Sequence, residues 1–145
     1  MSIIAWDGTI LAADKRASLG TLIRTTTKIF RVGEVLAGYD GESAAWEEML
    51  AWFRDGRDPA KFPAAQRNKD AWAGLLIVWP DKTLWRYEQT PYPVRYEPQQ
   101  FAVGCGRDFA LAAMHLGKSA PEAVEIASIF DSACGNGVDI LRHGD

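Results

Sequence analysis

Short apolar segments separated by turn residues fill the first two-thirds of the chain and predict a series of β-strands. Residues 3–6 form an apolar run, an Asp-Gly pair follows as a favoured two-residue hairpin turn with positive φ at both positions, and residues 9–13 return. Residues 25–31 are rich in β-branched side chains and alternate along the strand, and residues 35–39 follow a tight turn as their hairpin partner.

A second group of strands is predicted further along the chain. Residues 71–79 are a continuous apolar run, which a turn at 80–82 reverses into the alternating segment 83–87. Residues 92–96 and 101–103 complete the run of strands.

Helical spacing of apolar residues separates the two groups of strands. Asp40 is predicted to cap a helix that ends near Asp55, with Trp52 among its apolar positions and Gly56 just past its end. Residues 57–68 carry two prolines and mixed charge, which predicts a loop with a short helical turn.

The last third of the chain changes character. Residues 107–115 are rich in alanine and predict a helix, and Ser119 with Glu122 forms a capping box that opens another helix, to about Phe130. A Gly-Asn-Gly break then precedes a last strand at 138–141. Runs of strands and helices segregated in this way predict one α+β domain, residues 1–145, whose sheets are covered by helices.

Composition narrows the function classes. The chain has 145 residues, 48% of them hydrophobic and 24% charged, as in an ordinary globular domain rather than a disordered, collagen-like or coiled-coil chain. A net charge of −3 gives no electrostatic reason to bind nucleic acid or an acidic membrane. No apolar stretch is long enough to span a bilayer, and the start does not resemble a signal peptide, so we expect a cytoplasmic protein.

Few residues outside the N-terminus suggest chemistry. The two histidines and two cysteines form no HxxxH or CxxC spacing, so no metal site is expected. Cys105 and His115 are ten residues apart on one predicted stretch, too far for their side chains to meet, and His143 is expected to be solvated. The Gly-Cys-Gly sequence around Cys105 predicts a strand-to-helix turn and lacks the spacing of a phosphate-binding loop.

Ser2 is a more informative position. Met followed by a small residue is a substrate for removal of the initiator Met1, and an N-terminal Ser acts as a nucleophile with its own α-amine as the base. A free α-amine has a pKa of about 7.7–8.0, close to working pH. Many cytoplasmic proteins begin with Met-Ser, so this position alone leaves an ordinary start as the alternative.

The whole chain resembles the proteasome β-subunit family of N-terminal nucleophile hydrolases. It is most similar to short bacterial and phage-borne proteasome-like proteins and, more distantly, to the peptidase of the bacterial ATP-dependent two-ring protease. Five blocks carry the resemblance in the family's order: Ser2 to Gly8 leading to Ala12-Ala13-Asp14, Thr27-Lys28-Ile29-Phe30-Arg31, Leu36 to Ala44, Gly104-Cys105-Gly106, and Asp131-Ser132-Ala133-Cys134-Gly135.

The resemblance implies catalytic roles for four residues. Ser2 attacks the peptide carbonyl, Lys28 tunes its amine and hydroxyl electrostatically, and Asp14 and Asp131 orient and balance that charge. The alternative for Asp14 and Lys28 is a buried ion pair that locks two hairpins together.

The resemblance also implies where the substrate binds. The N–H of Gly41, at the start of a helix, helps to form the oxyanion hole, where one good donor is worth about 3 kcal/mol. Tyr39 lines the pocket for the substrate side chain.

Three departures from the family pattern affect the same site. The nucleophile is Ser rather than Thr, and Cys105 and Cys134 stand where the family has two supporting serines. A thiol is a weak hydrogen-bond donor, so the amine is oriented less firmly. Both cysteines are expected near Ser2 and close to each other, either as small buried thiols or as a redox-sensitive pair.

The implied fold is a four-layer α/β/β/α sandwich of two antiparallel sheets, in a short version. The implied function is an N-terminal nucleophile peptidase or amidase that needs no cofactor, cleaves peptide or unfolded protein and forms a homo-oligomeric ring. The sequence leaves open whether an ATP-driven unfoldase is its partner. Trp46 and Trp52 lie on the first helix, either as subunit contacts or as core residues. A ring or scaffold protein without catalysis is the alternative, favoured by the cysteines and by any retention of Met1, and a non-proteolytic amidohydrolase is the third reading.

Overall fold

The structure is a computed structural model that describes residues 2–97 and 99–145. In those residues the strands are β1 (Ile4–Trp6), β2 (Ile10–Asp14), β3 (Arg16–Leu19), β4 (Leu22–Thr25), β5 (Ile29–Val32), β6 (Val35–Gly41), β7 (Ala73–Val78), β8 (Leu84–Tyr87), β9 (Val94–Tyr96), β10 (Phe101–Val103) and β11 (Val138–Arg142). The helices are α1 (Ser43–Arg54), α2 (Arg107–His115) and α3 (Ala120–Phe130), with short 3₁₀ turns at Pro59–Lys61 and Ala64–Arg67.

Two antiparallel sheets stack face to face between helices. One has the order β10-β1-β2-β11 and is covered by α2 and α3, and the other has the order β5-β6-β7-β8-β9 and is covered by α1. Strands β3 and β4 form a separate two-stranded hairpin. The predicted α/β/β/α sandwich is confirmed.

Alternation along each strand explains how both faces of both sheets are buried. Ile4 and Trp6 point between the sheets, whereas Ile3 and Ala5 point toward α2 and α3. Because successive side chains point to opposite faces, a continuous apolar run packs both between the sheets and under the helices. The apolar segments at 3–6 and 71–79 were therefore recognisable as buried strands.

The two helical layers are packed differently. The layer under α2 and α3 is rich in alanine, which lets these helices approach the sheet closely. The layer under α1 is aromatic, and Trp46 and Trp52 are each 6% exposed. Both tryptophans are therefore core residues of this chain, and the Trp52 indole N–H also donates to the Asp58 carbonyl at 2.8 Å.

Asp40 does not cap α1, contrary to the prediction. Strand β6 continues pairing with β7 as far as Gly41 opposite Ala73, so Asp40 is still extended backbone. Its carboxylate binds the Arg86 guanidinium at 2.9 and 3.0 Å. Glu42 is the N-cap residue instead, without a side-chain cap hydrogen bond.

The first hairpin turn also differs from the prediction. Only Gly8 has a positive φ, at +99°, and Asp7 does not. The Asp7 carboxylate accepts hydrogen bonds from the N–H groups of Thr9 and Ile10, which holds the turn around Gly8 and Thr9.

Two further predictions about local structure need correction. The strand expected at 25–31 is confined to β5, and Thr25 belongs to β4, whose hairpin with β3 was not predicted. The exposed side chains of Leu19 and Leu22 show why, since this hairpin has no buried face to impose a pattern. His143 is partly buried rather than solvated, with its ring edge-to-face against Trp6.

The other predicted elements are confirmed. Helix α2 has the predicted bounds, and α3 begins with the predicted capping box between Ser119 and Glu122. Among the described residues, no helix is long and apolar enough to cross a membrane.

Candidate active site

Ser2 lies beside the start of β1 and is buried, with 4% of its surface exposed. Its hydroxyl donates to the Arg16 carbonyl at 2.7 Å, and its own carbonyl accepts the Gly106 N–H at 3.1 Å. The residue has a φ of +66°, a conformation that side chains other than glycine adopt at a cost of about 1–2 kcal/mol. The hydroxyl is thus fixed toward one defined group.

Asp14 ends β2 directly behind Ser2 and is fully buried. Its Oδ1 accepts the Ile3 N–H at 3.1 Å, and its Oδ2 accepts the N–H groups of Arg16 at 3.2 Å and Gly135 at 2.9 Å. A buried carboxylate needs such donors to remain charged. The surrounding backbone therefore holds this carboxylate with three N–H groups, one of them that of Ile3, which follows Ser2.

Lys28 precedes β5 and supplies the matching cation. Its ammonium donates to Asp14 Oδ1 at 2.6 Å and to the Arg16 carbonyl at 2.6 Å, the same oxygen that accepts the Ser2 hydroxyl. Burial lowers the pKa of Lys28 below its ordinary value, although the hydrogen bond and charge of Asp14 oppose that shift. The shared acceptor places the hydroxyl and the ammonium side by side.

A cavity of about 270 Å³ opens onto these groups. Ser2, Lys28, Tyr39 and Gly41 are among the residues that line it. One wall is the hairpin of β3 and β4, which contributes Leu19 and other residues.

Gly41 occupies the mouth of the cavity at the end of β6. Its φ is +98°, and a Cβ atom there would lie 2.4 Å from the Trp72 carbonyl oxygen, so only glycine fits. Helix α1 begins two residues later at Ser43, which gives this corner the positive end of a helix dipole. The backbone here is suited to stabilising a negative oxygen.

Tyr39 is held rigidly where it meets the cavity. Its ring stacks on Trp46 with the centroids 3.9 Å apart, and Trp46 in turn stacks on Phe30 at 4.7 Å. The Tyr39 N–H donates to the Lys28 carbonyl at 3.0 Å. The aromatic side of the cavity and the lysine are thereby fixed relative to each other.

Asp131 lies in the turn after α3 and does not line the cavity. Its Oδ1 accepts the Ala133 N–H at 2.8 Å, and its backbone carbonyl accepts the Cys134 N–H at 3.0 Å. No hydrogen bond joins it to Ser2 in the part of the chain that the structure describes. Its geometric role is to shape the loop that carries Cys134.

The two cysteines are free thiols in supporting turns. Cys134 is buried, and burial, with the nearby charges of Asp14 and Asp131, raises the pKa of its thiol to about 12. Cys105 is exposed, so it is not the second buried thiol that the sequence suggested. The two turns meet through Gly106, where an added Cβ would lie 2.9 Å from the Cys134 sulfur.

Sequence reasoning missed Arg16, whose carbonyl joins Ser2 to Lys28. No local pattern pointed to it, because a backbone carbonyl carries no residue type and its side-chain partners are more than a hundred positions away in the sequence. Met1, whose removal is expected from the sequence, lies outside the described residues. Within the described ranges, no group of three or more His, Cys, Asp or Glu side chains is arranged to hold a metal ion.

The fold is similar to that of solved proteasome-like peptidases. Over 100% of both chains it matches Thiobacillus denitrificans BPH in complex with epoxomicin, with a TM-score of 0.72 and 18% sequence identity. It matches eukaryotic HslV from Trypanosoma brucei over 97% of both chains, with a TM-score of 0.71 and 18% identity. A second structure of Thiobacillus denitrificans BPH matches over 99% of both chains, with a TM-score of 0.69 and 17% identity.

Sequence comparison adds nothing to these structural matches, because no protein-family model and no curated protein matches the chain. At such low identity the likeness establishes the fold and not the chemistry. It confirms the resemblance to proteasome-like proteins at the level of the fold.

Proposed function

We propose that this chain is an N-terminal nucleophile peptidase or amidase in which Ser2 is the nucleophile after removal of Met1. The observation that carries the proposal is the single Arg16 carbonyl that accepts both the Ser2 hydroxyl and the Lys28 ammonium beside an open cavity. An ion pair that only stabilised the fold would not need a serine hydroxyl beside its lysine.

The reaction has two halves. The freed α-amine of Ser2 takes the proton of its hydroxyl, the Ser2 Oγ attacks the substrate carbonyl to form an ester, and the proton passes to the departing amine. Water then attacks the ester, again with the α-amine as base, and releases the acid and the free serine. The positive Lys28 lowers the pKa of the α-amine, which keeps it neutral and able to accept a proton at working pH.

The remaining site residues support this reaction. The Gly41 N–H donates to the oxyanion, and the loss of one such donor costs about 3 kcal/mol of transition-state stabilisation. Tyr39 contacts the substrate side chain, while Asp14 balances the charge of Lys28. The turns that contain Asp131, Cys105 and Cys134 support the site, and these three side chains do not contact the substrate.

We also propose that peptides or unfolded proteins are the substrates and that the chain assembles into a homo-oligomeric ring. Large apolar side chains at the surface support assembly, among them Leu116, Ile129 and Phe130, which are 82%, 74% and 66% exposed. A cytoplasmic location remains an expectation from the sequence, which leaves an ATP-driven unfoldase partner open.

The second candidate is a ring-forming or scaffold protein that keeps the fold without catalysis. Cys134 favours it, because a buried neutral thiol is a weak donor at a position where the family has a serine hydroxyl. A retained Met1 would favour it as well, since the α-amine of Ser2 would then be part of a peptide bond.

Intact mass and a peptide epoxyketone or vinyl-sulfone probe separate these candidates. We expect loss of Met1 and one probe adduct on the wild type, and no adduct on Ser2→Ala. Ser128→Ala is the matched control. That hydroxyl donates to the Val124 carbonyl within α3, away from the cavity, so its loss should leave the adduct unchanged. A correctly processed wild type that takes up no probe would support the scaffold candidate.

A further inference from the structure

Arg16 is held at both its backbone and its side chain. Its N–H donates to Asp14 Oδ2 at 3.2 Å, and its carbonyl accepts from Ser2 and Lys28. Three groups of the proposed site therefore depend on the position of this one peptide unit.

The guanidinium of Arg16 reaches across to the loop after α3. It donates to the Ser132 carbonyl at 2.7 Å and to the side-chain oxygen of Asn136 at 3.2 Å. It also lies flat against Gly135, where an added Cβ would come within 2.8 Å of it. The Arg16 side chain thus bonds both ends of the segment 132–136.

Residues 132–136 in turn bond to the residues around Ser2. The Gly135 N–H donates to Asp14 Oδ2 at 2.9 Å, and its carbonyl accepts the Lys15 N–H at 2.9 Å. The hydrogen bonds form a closed circuit from the Arg16 guanidinium through the loop and Asp14 to Lys28, and back to the Arg16 carbonyl.

We infer that Arg16 is a positioning residue, whose guanidinium holds the loop at 132–136 so that Asp14 and Lys28 keep their place beside Ser2. The inference rests on the proposed function. Without the guanidinium, the loop no longer holds the Gly135 N–H against the Asp14 carboxylate. Lys28, which bonds Asp14, then moves away from the α-amine of Ser2. The pKa of that amine then rises toward its ordinary value, because a nearby positive charge no longer depresses it.

The test measures the rate at which an epoxyketone probe adds to wild type and Arg16→Ala across pH 5–9. We expect Arg16→Ala to react more slowly by a factor of about 10², as for other misplaced catalytic groups. We expect the acidic limb of its pH profile to move to higher pH. Guanidinium ion should restore part of the rate when compared with potassium chloride at equal ionic strength, because it fills the vacated position.

Arg31→Ala is the matched control. Its guanidinium also donates to a backbone carbonyl, that of Arg142, at the opposite end of β11. This variant should keep the wild-type rate and profile and show no response to guanidinium. Arg16→Lys keeps the charge but cannot make both side-chain hydrogen bonds, so it should show the same pH shift even if Arg16→Ala fails to fold.

The outcomes separate the two proposals. A processed wild type that does not react contradicts the proposed function itself. A reactive wild type with unchanged profiles in the folded Arg16 variants overturns the positioning role alone. A slower rate with neither a pH shift nor rescue by guanidinium also overturns it, since such a loss would be merely structural.

Discussion

Two carboxylate–cation pairs each place one member in the wall of the same cavity, Lys28 in one pair and Asp40 in the other, and they are built differently. The pair of Asp14 and Lys28 is buried, and its ammonium shares an acceptor with a serine hydroxyl. The pair of Asp40 and Arg86 is more exposed, and its guanidinium is occupied by the carboxylates of Asp40 and Glu88.

The second pair ties strands together. Asp40 on β6 meets Arg86 on β8 across Gly74 of β7, where an added Cβ would come within 2.6 Å of the Asp40 carboxylate. The two carboxylates hold Nη1 and Nη2 of Arg86, and this side chain does not line the cavity. The contrast teaches that the partner of the cation distinguishes the two pairs: Lys28 shares an acceptor with a serine hydroxyl, whereas Arg86 bonds only a second carboxylate among the groups described.

Lys28→Met gives the largest expected effect. Probe addition should fall by about 10³-fold, because the amine loses the charge that tunes it. The free energy of unfolding should fall by about 3–5 kcal/mol, since Asp14 is left as an uncompensated buried charge. Probe labelling and urea unfolding measure the two effects.

Lys15→Met is the control for that substitution. It removes another lysine–aspartate pair, Lys15 with Asp139, whose side chains are 25% and 30% exposed. Such a pair contributes about 0–1 kcal/mol, and labelling should continue. Equal labelling of Lys28→Met and Lys15→Met would contradict a special role for the Lys28 charge in probe addition.

Arg86→Met should affect stability and spare the chemistry. Losing the charged hydrogen bonds to Asp40 should lower the free energy of unfolding by about 1.5–3 kcal/mol. The rate of probe addition should stay at the wild-type level under conditions where the variant is folded, as judged by circular dichroism. A large loss of labelling in the folded variant would give the two pairs the same role.

The Cys134 thiol, which lies near Asp14, makes the stability of the folded chain depend on pH. Burial raises the pKa of this thiol from its ordinary value of 9.0 to about 12, so the folded state holds the proton more tightly. The stability contributed by this shift is complete below pH 9 and is lost as the pH rises toward 12.

The comparison variant for this titration is Cys134→Ala. Urea unfolding at pH 8 and pH 10 should show the stability advantage of the wild type over Cys134→Ala shrinking at the higher pH. An advantage that grows with pH would mean that the thiol is ionised in the folded protein.

Thiol alkylation gives the smallest effect, a difference of one label. Cys105 is exposed and Cys134 is buried, so iodoacetamide should label one thiol of the native protein and both after unfolding. Cys105→Ser should take up no label while folded. Two labels on the native wild type would contradict the burial of Cys134, and none under oxidising conditions would support a redox pair.

Much of the fold could be predicted because its strands are buried on both faces. The run at 71–79 and the capping box at Ser119 are local signals that the folded chain preserves. The hairpin of β3 and β4 escaped prediction because its side chains are mostly exposed, so nothing forces apolar residues into a pattern. Asp40 was misassigned because a capping residue and an ion-pair partner look alike in sequence.

The candidate site was predictable only through resemblance. Ser2, Lys28, Tyr39 and Gly41 line one cavity and Asp14 bonds Lys28, although no spacing rule connects these residues. The Arg16 contacts could not be foreseen, since they join distant segments through backbone carbonyls. The burial that distinguishes Cys134 from Cys105 likewise depends on tertiary packing.

The most direct test of the account compares the two ion pairs in one experiment. Epoxyketone-treated wild type, Lys28→Met and Arg86→Met are digested, and the N-terminal peptide of each is mapped by mass spectrometry. The account predicts a peptide that begins at Ser2 and carries the adduct in wild type and Arg86→Met, and the same peptide without adduct in Lys28→Met. An adduct on another residue, or equal labelling in all three proteins, would contradict it.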